Sequence, residues 1–369
     1  MVVDFLRTES ARSQKDALAV FENQNEEEFF NSLPQEIKER AFEKAALFFG
    51  YEKRSFSSVS LMTDYAYASY IKNRRLYFLT SGSTGTPKQC IHTEQMLLEE
   101  SFGLSPLFVP IKRVISLVPS NHLYGFTFTV VLPHILKVPV VVLPALPTQD
   151  WNSVLKEGDL VAGFPLFWNY WLQAGNTFQN GISALSSTAP CKDEIITGLF
   201  DAGLSHFTEI YGSSETGVMG FRHEAGEPFT LMPFWEKSVM DGVLKIKRKS
   251  QAEWISLPDE IEITPDGKIR PLRRKDFCVQ VAGINVFPKH VEQVLAQHPA
   301  VKECRVRLMR PEEGERLKAF IVLNEGYIPD HLGIIRTYLS RKLTIHEMPR
   351  AFTFGDSLPT AELGKDADW

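Results

Sequence analysis

Two short strings carry the residue types that could hold a phosphate. In the first, a strand-like run from Tyr77 enters Thr80, Ser81, Gly82, Ser83, Thr84, Gly85, Thr86, Pro87 and Lys88. Glycines let successive backbone N–H groups converge on an anion, and hydroxyls add donors. Lys88 adds a point charge suited to phosphate. This is not a Walker loop, which needs glycine, four residues, then Gly-Lys-Ser/Thr; here Pro87 precedes the lysine and Gln89 follows it. The second string, Ile210 to Gly217, follows an expected strand over Phe207–Ile210 and turns through Ser213, Ser214, Glu215 and Thr216. No Ser-His-Asp arrangement and no paired-carboxylate signature accompanies them.

At the first string the chain resembles the adenylate-forming superfamily, which comprises acyl- and aryl-CoA ligases, luciferases and peptide-synthetase adenylation domains. The resemblance spans Tyr77 to Lys365. It implies an ATP-dependent enzyme that joins a carboxylate to AMP and releases pyrophosphate. Thr80, Ser81, Gly82, Ser83, Thr84, Gly85 and Lys88 then bind ATP phosphates. The second string resembles the family's next signature, which gives Tyr211 to adenine and Glu215 to Mg²⁺. Mg²⁺ is often held by one carboxylate plus substrate phosphates. His122, in Asn121-His122-Leu123-Tyr124-Gly125, falls where relatives place a residue beside the acyl pocket. Asp259 and Arg274 resemble the ribose-binding pair, and Asp276 the hinge between domains. Lys365, after Pro359 and Gly364, resembles the closing catalytic lysine.

The chain departs from the pattern in places. Ser187 and Thr188 stand where small glycines are usual, Pro258 and Arg273 replace glycines, and Gln280 replaces a common lysine. Gly283 to Glu292 resembles the phenylacetate-CoA ligase branch, which tilts the substrate towards an aromatic acid. Tyr124, Phe126, Phe164, Phe167, Trp168 and Phe221 are candidates for an aryl pocket, with core packing the commoner role for each. The compact length also resembles stand-alone adenylating enzymes of antibiotic pathways, including phenazine biosynthesis.

The chemistry explains the residue types. A carboxylate and the α-phosphate of ATP are both anions; at 4 Å two unit charges repel by about 4 kcal/mol at an effective dielectric of 20. A cation must lie between them, and Lys365 is the candidate, with Mg²⁺ at Glu215 on the phosphate side. The nucleophile is already ionised, so no general base is required.

The elements must present these groups. Val114–Val118 and Val138–Leu143 read as buried parallel strands, alternating with helical patterns at Thr93–Gly103 and Cys191–Ala202. The expected class is α/β: a large layered domain over 1–274, then a small mobile α+β lid over 275–369. Residues 1–76 are a helical lead-in. There Ser32 is expected to cap a helix opening at Pro34 and ending near Gly50, with Ile37, Ala41, Ala45 and Phe48 on its apolar face. Glu26, Glu27 and Glu28 read as a solvated face. In the lid, Pro288 opens a helix buried through Val291, Val294 and Leu295. Strands follow at Arg305–Leu308 and Ala319–Leu323, and Asp330 caps a helix with Ile334, Ile335, Tyr338 and Leu339 inward.

Composition narrows the partners. The 369 residues carry 40 Lys and Arg against 45 Asp and Glu, a net charge of −5 without a long basic run. That excludes a non-specific nucleic-acid footprint. Four cysteines with no close pair exclude the usual zinc-finger spacing and a disulfide framework. The start of the chain lacks an apolar signal region, and the apolar stretch from Phe126 to Leu146 is broken by His134, Lys137 and prolines. A cytoplasmic protein with no membrane partner is expected. ATP and Mg²⁺ are the expected cofactors, with CoA as the acyl acceptor. A reductase or an acyl-acceptor protein, and a second copy of the chain, are the partners left open. The alternative reading is a catalytically silent nucleotide-binding scaffold.

Overall fold

The computed structural model describes residues 2–13, 25–80, 88–108, 110–145, 150–240, 243–275, 278–281, 284–310, 313–314, 316–359 and 369. The chain divides into two units: residues 1–80, 88–257 and 261–270 form the larger, and 81–87, 258–260 and 271–369 the smaller. No helix among the described residues is long and apolar enough to cross a membrane.

The larger unit opens with four helices: α1 (Val2–Ser13), α2 (Glu26–Ser32), α3 (Gln35–Phe49) and α4 (Val59–Asn73). Phe5, Phe30, Phe42, Phe48 and Phe49 meet in their shared core, so the lead-in is a packed aromatic layer. The expected apolar face of α3 is buried at Ile37, Ala41, Ala45 and Phe48. Gly50 closes that helix at φ 71°, the left-handed conformation glycine adopts without strain. Ser32 does not cap it. Ser32 is the last residue of α2, where its hydroxyl donates to the Phe29 carbonyl, and Pro34 takes the cap position with no side-chain bond. Nor is the acidic run wholly solvated, since Glu27 accepts the Val59 and Ser60 amides at 3.1 and 3.0 Å and so caps α4.

A hairpin follows, β1 (Arg75–Thr80) against β2 (Lys88–Thr93), and then α5 (Glu94–Leu104), capped by the Thr93 hydroxyl at 3.2 Å. The central sheet has seven strands: β3 (Arg113–Ser116), β4 (Val140–Val142), β5 (Asp159–Gly163), β6 (Ser183–Ser186), β7 (His206–Ser213), β8 (Gly217–Arg222) and β9 (Thr230–Leu231). Its order is β4-β3-β5-β6-β7-β8-β9. The first five in that order are parallel and the last two pairings antiparallel. Every residue of β5 is buried, as in a parallel sheet covered on both faces. One face packs on Leu104, Phe128 and Leu132, the other on Trp151, Phe167, Trp168 and Trp171. A second sheet, β10 (Trp235–Met240), β11 (Val243–Arg248) and β12 (Ile255–Ser256), completes the unit. The paired strands β13 (Asp259–Ile263) and β14 (Ile269–Arg274) carry the chain to the smaller unit.

In the smaller unit β15 (Val279–Val281) pairs with β16 (Ile284–Val286), and β17 (Val301–Leu308), β18 (Leu317–Leu323) and β19 (Ala351–Phe354) form a three-stranded sheet. The helix Pro288–Ala296 buries Val291, Val294 and Leu295, as its spacing requires. The last helix, Leu332–Ser340, differs from expectation. A 3₁₀ turn over Pro329–His331 precedes it, so Asp330 lies inside that turn and His331 takes the cap position. Ile335 and Leu339 are fully buried, Tyr338 packs at the edge of the core, and Ile334 points outward at 58% exposure. Of the four residues expected inward only Ile334 departs, so the buried stripe is narrower than expected.

Candidate active site

The carboxyl ends of β3, β5, β6 and β7 lie side by side, since Ser116 pairs with Ala162, Gly163 with Ser186 and Ser186 with Glu209. In open α/β sheets ligands bind in the crevice beyond those ends. The chain places there the loop to His122, then Phe164, Ser187 and Thr188, and the turn from Tyr211 to Gly217.

Tyr124 closes the middle of this edge. Its hydroxyl lies 2.8 Å from the Gly163 carbonyl and 3.3 Å from that of Leu185, and burial pushes its pKa well above the phenol value. Tyr124, Phe164 and Tyr211 are partly buried and stand at this edge, Phe164 directly after β5 and Tyr211 directly after the Ile210 carbonyl that accepts from Ser187; Phe221 is partly buried on β8 as the register partner of Ile210. Phe126, Phe167 and Trp168 do not join them; they are core residues at 6%, 1% and 0% exposure. His122 is exposed and caps the helix at Leu123–Phe126, its carbonyl accepting the Phe126 amide at 2.7 Å.

Thr188 keeps the backbone a glycine would have, at φ 78°. A β-branched residue is strained there. Ser187 donates from its hydroxyl to the Ile210 carbonyl at 3.0 Å, tying this loop to β7. The loop is also held through Cys191, whose amide donates to buried Glu209 at 2.7 Å; Arg222 pairs with that carboxylate at 2.7 Å. Burial raises the Glu209 pKa, with Arg222 pulling the other way.

Glu215 is exposed in the turn between β7 and β8. The turn is tight: a Cβ on Gly212 would lie 2.2 Å from the Gly217 carbonyl, and Gly217 adopts φ +77°. Thr216 is buried, its hydroxyl receiving the Ser213 amide at 3.1 Å and donating to the Gly217 carbonyl at 2.9 Å. Two groups far away in sequence hold the turn. The buried His92 ring donates from Nε2 to the Ser214 carbonyl at 2.7 Å. Burial pushes the pKa of His92 down to about 4, so the ring is neutral at ordinary pH. Arg248, with a fully buried side chain, donates to the Thr216 carbonyl at 3.0 Å and pairs with Glu100 at 2.8 Å. Glu100 in turn accepts the Val218 amide at 3.0 Å, and burial raises its pKa against the pull of Arg248. None of these three was a candidate from sequence; Glu100 and Arg248 stand beside other charged residues in α5 and β11, so nothing local singles them out.

The remaining candidates divide by unit. Thr80 and Lys88 are the last register partners of the β1–β2 hairpin before its connecting segment, while Ser81, Gly82, Ser83, Thr84 and Gly85 lie outside the described residues. In the smaller unit Asp259 is buried and Arg274 half-buried, with Nε 3.7 Å from Oδ1. The Pro258 carbonyl accepts the Lys275 amide at 2.9 Å. Gln280 and Asn285 bond across β15 and β16. Asp276 and Lys365 lie outside the described residues.

Among the described residues no group of three or more His, Cys, Asp or Glu could hold a metal alone. A single exposed carboxylate at Glu215 beside hydroxyl-bearing turns is the donor set that fits Mg²⁺ shared with phosphates.

Residues 36–240 match the AMP-binding enzyme family, and residues 290–365 match the AMP-binding enzyme C-terminal domain. The chain is 35% identical over 298 residues to a 4-coumarate–CoA ligase of Rhodobacter capsulatus, covering 79% of this chain and 74% of that one. It is 33% identical over 292 residues to the 4-coumarate–CoA ligase of Halorhodospira halophila, with the same two coverages, 79% and 74%. Its fold matches an o-succinylbenzoate-CoA synthetase from Bacillus subtilis at a TM-score of 0.66 and 21% identity, over 79% of this chain and 67% of that one. The chain therefore belongs to the AMP-binding enzyme family, the adenylate-forming superfamily of AMP-forming acid–thiol ligases.

Proposed function

We propose that the chain activates an aromatic carboxylic acid as its acyl-adenylate and passes the acyl group to CoA. The observation that carries this reading is the placing of Tyr124, Phe164 and Tyr211 at the carboxyl ends of β5, β6 and β7, where the Tyr124 hydroxyl meets the Gly163 and Leu185 carbonyls. The 4-coumarate–CoA ligase relatives support an aryl acid of the hydroxycinnamate type. Gly283 to Glu292 supports an aryl acid as well, through its likeness to the phenylacetate branch. A role in phenazine assembly forms no part of the reading.

In this account the string from Thr80 to Lys88 cradles the phosphates, and backbone N–H groups with the lysine charge stabilise the departing pyrophosphate. Tyr211 stacks on adenine, while Asp259 and Arg274 hold the ribose hydroxyls. His122 borders the acid. Glu215 would hold Mg²⁺, which when bound offsets phosphate charge. Lys365 lies between the attacking carboxylate and the α-phosphate, and Asp276 is the pivot that brings its domain into place. The carboxylate oxygen forms a bond to phosphorus as the bond to pyrophosphate breaks. The CoA thiolate then attacks the acyl carbon and AMP leaves.

Incubation with ATP, Mg²⁺ and 4-coumarate, with and without CoA, tests the acceptor. The expected result is CoA-dependent release of AMP together with a coumaroyl thioester. Accumulation of acyl-adenylate that CoA does not discharge would instead mean hand-over to a reductase or carrier protein.

A further inference from the structure

The first helix of the chain reaches the edge of the site through one buried carboxylate. Asp4 accepts the Ser120 amide at 3.2 Å and the Ser120 hydroxyl through the same Oδ2 oxygen, across 116 residues of sequence. Asp4 and Ser120 are buried, at 8% and 5% exposure. Hydrogen bonds to an ionised acceptor are stronger than neutral ones. Ser120 stands two residues before His122, and the loop has little freedom to rearrange. A Cβ on Gly125 would lie 2.1 Å from the Pro119 carbonyl, so the helix start at 123 is wedged against residue 119.

Helix α1 is itself fixed. Glu9 is buried and pairs with Lys44 and, at 3.4 Å, with Arg40 of α3. Phe5 meets Phe48 edge-on at 5.3 Å, and Phe48 contacts Phe126 at 6.2 Å. Helices α1 and α3 and the helix at 123–126 therefore share one packed core, and Asp4 joins that core to the 119–122 loop.

We propose that Asp4 is a positioning residue for the loop that carries His122 and leads into the helix of Tyr124, so that α1 sets the enzyme's affinity for its carboxylic acid. This rests on the reading above that the loop borders the acid. A staple that merely added stability would move the Michaelis constants for acid and ATP together or not at all.

The test uses the full chain and the variants Asp4→Ala, Asp4→Asn, Ser120→Ala and His122→Ala. Pyrophosphate exchange gives KM for the acid and for ATP, and hydrogen exchange is followed over residues 117–124. Asp4→Ala is expected to raise the acid KM about tenfold, to leave the ATP KM within about twofold, and to speed exchange in the loop. Asp4→Asn keeps one acceptor oxygen and should fall between. Ser120→Ala should shift the same constants in the same direction, and serves if Asp4→Ala does not fold. An unchanged acid KM in Ser120→Ala and in any folded Asp4 variant overturns the proposal. If His122→Ala still raises the acid KM in that case, the loop borders the acid and Asp4 does not position it. If His122→Ala leaves it unchanged too, the acid-facing reading of the loop fails with it.

Discussion

Thr188 holds a left-handed backbone at φ 78° where relatives of this fold are expected to use glycine. An L-residue with a Cβ loses roughly 1–2 kcal/mol in that region. The structure therefore tolerates a local cost to keep the turn beside β7, which Ser187 fastens from its own hydroxyl. Thr188→Gly should raise the unfolding free energy by about 1 kcal/mol in urea titrations, because relief of strain outweighs the added freedom of the unfolded chain. A loss of stability in that variant would mean that the threonine side chain has a favourable contact greater than its strain. His92 makes a second prediction at this scale. Its folded pKa of about 4 lies below the unfolded value near 6.5, chiefly because of burial. Below pH 6.5 the unfolded chain binds a proton that the folded chain does not, so stability must fall as pH drops from about 6.5 towards 4. The loss approaches roughly 3 kcal/mol. His92→Gln should flatten that part of the pH–stability curve, and an unchanged slope in thermal melts would contradict the assignment.

At the scale of elements, the Glu215 turn depends on α5 and β11, which lie on opposite sides of it in sequence. Glu100 and Arg248 are 148 residues apart and meet under the turn with side-chain exposures of 1% and 0%. Removing one partner of a buried pair leaves an uncompensated charge, at a cost of about 3–5 kcal/mol. Arg248→Ala should therefore lower stability by that amount in chemical denaturation, while the double change Glu100→Leu with Arg248→Met should recover much of it. A single-variant cost below about 1 kcal/mol would show that the pair is not what holds the turn. The parallel strands β3 and β4 and the helix after Thr93 were legible because β-branched runs, prolines and helical spacing are local signals. But β4 is an edge strand with Val142 46% exposed rather than a buried one, since a β-branched run does not say whether a second neighbour pairs with it. The Glu100–Arg248 pair and the His92 bond were not, because a pairing across the fold leaves no spacing in sequence. Ser32 and Asp330 misled for the opposite reason: each is a good cap by type, but α2 and a 3₁₀ turn occupy the positions they were expected to start.

At the scale of the whole molecule, the layered α/β unit and the smaller mixed unit follow the alternation of strand and helix patterns, and the family match extends over both. The short contiguous strings Thr80–Lys88 and Tyr211–Gly217 carried the resemblance to the family that the comparisons show, while most of the first string lies outside the described residues. The aromatic candidates were harder to sort, because Phe126, Phe167 and Trp168 resemble pocket residues by type and are spent on the core. The central claim is that this chain adenylates an aryl acid with Lys365 between the two anions. ATP–pyrophosphate exchange with Mg²⁺, across benzoic, phenylacetic, cinnamic and fused-ring acids, tests it most directly. The account predicts exchange with a subset of these acids that includes the hydroxycinnamates, and its loss in Lys365→Ala while ATP affinity stays within a few fold. Measurable ATP binding with no exchange for any acid, or full exchange in Lys365→Ala, would contradict it.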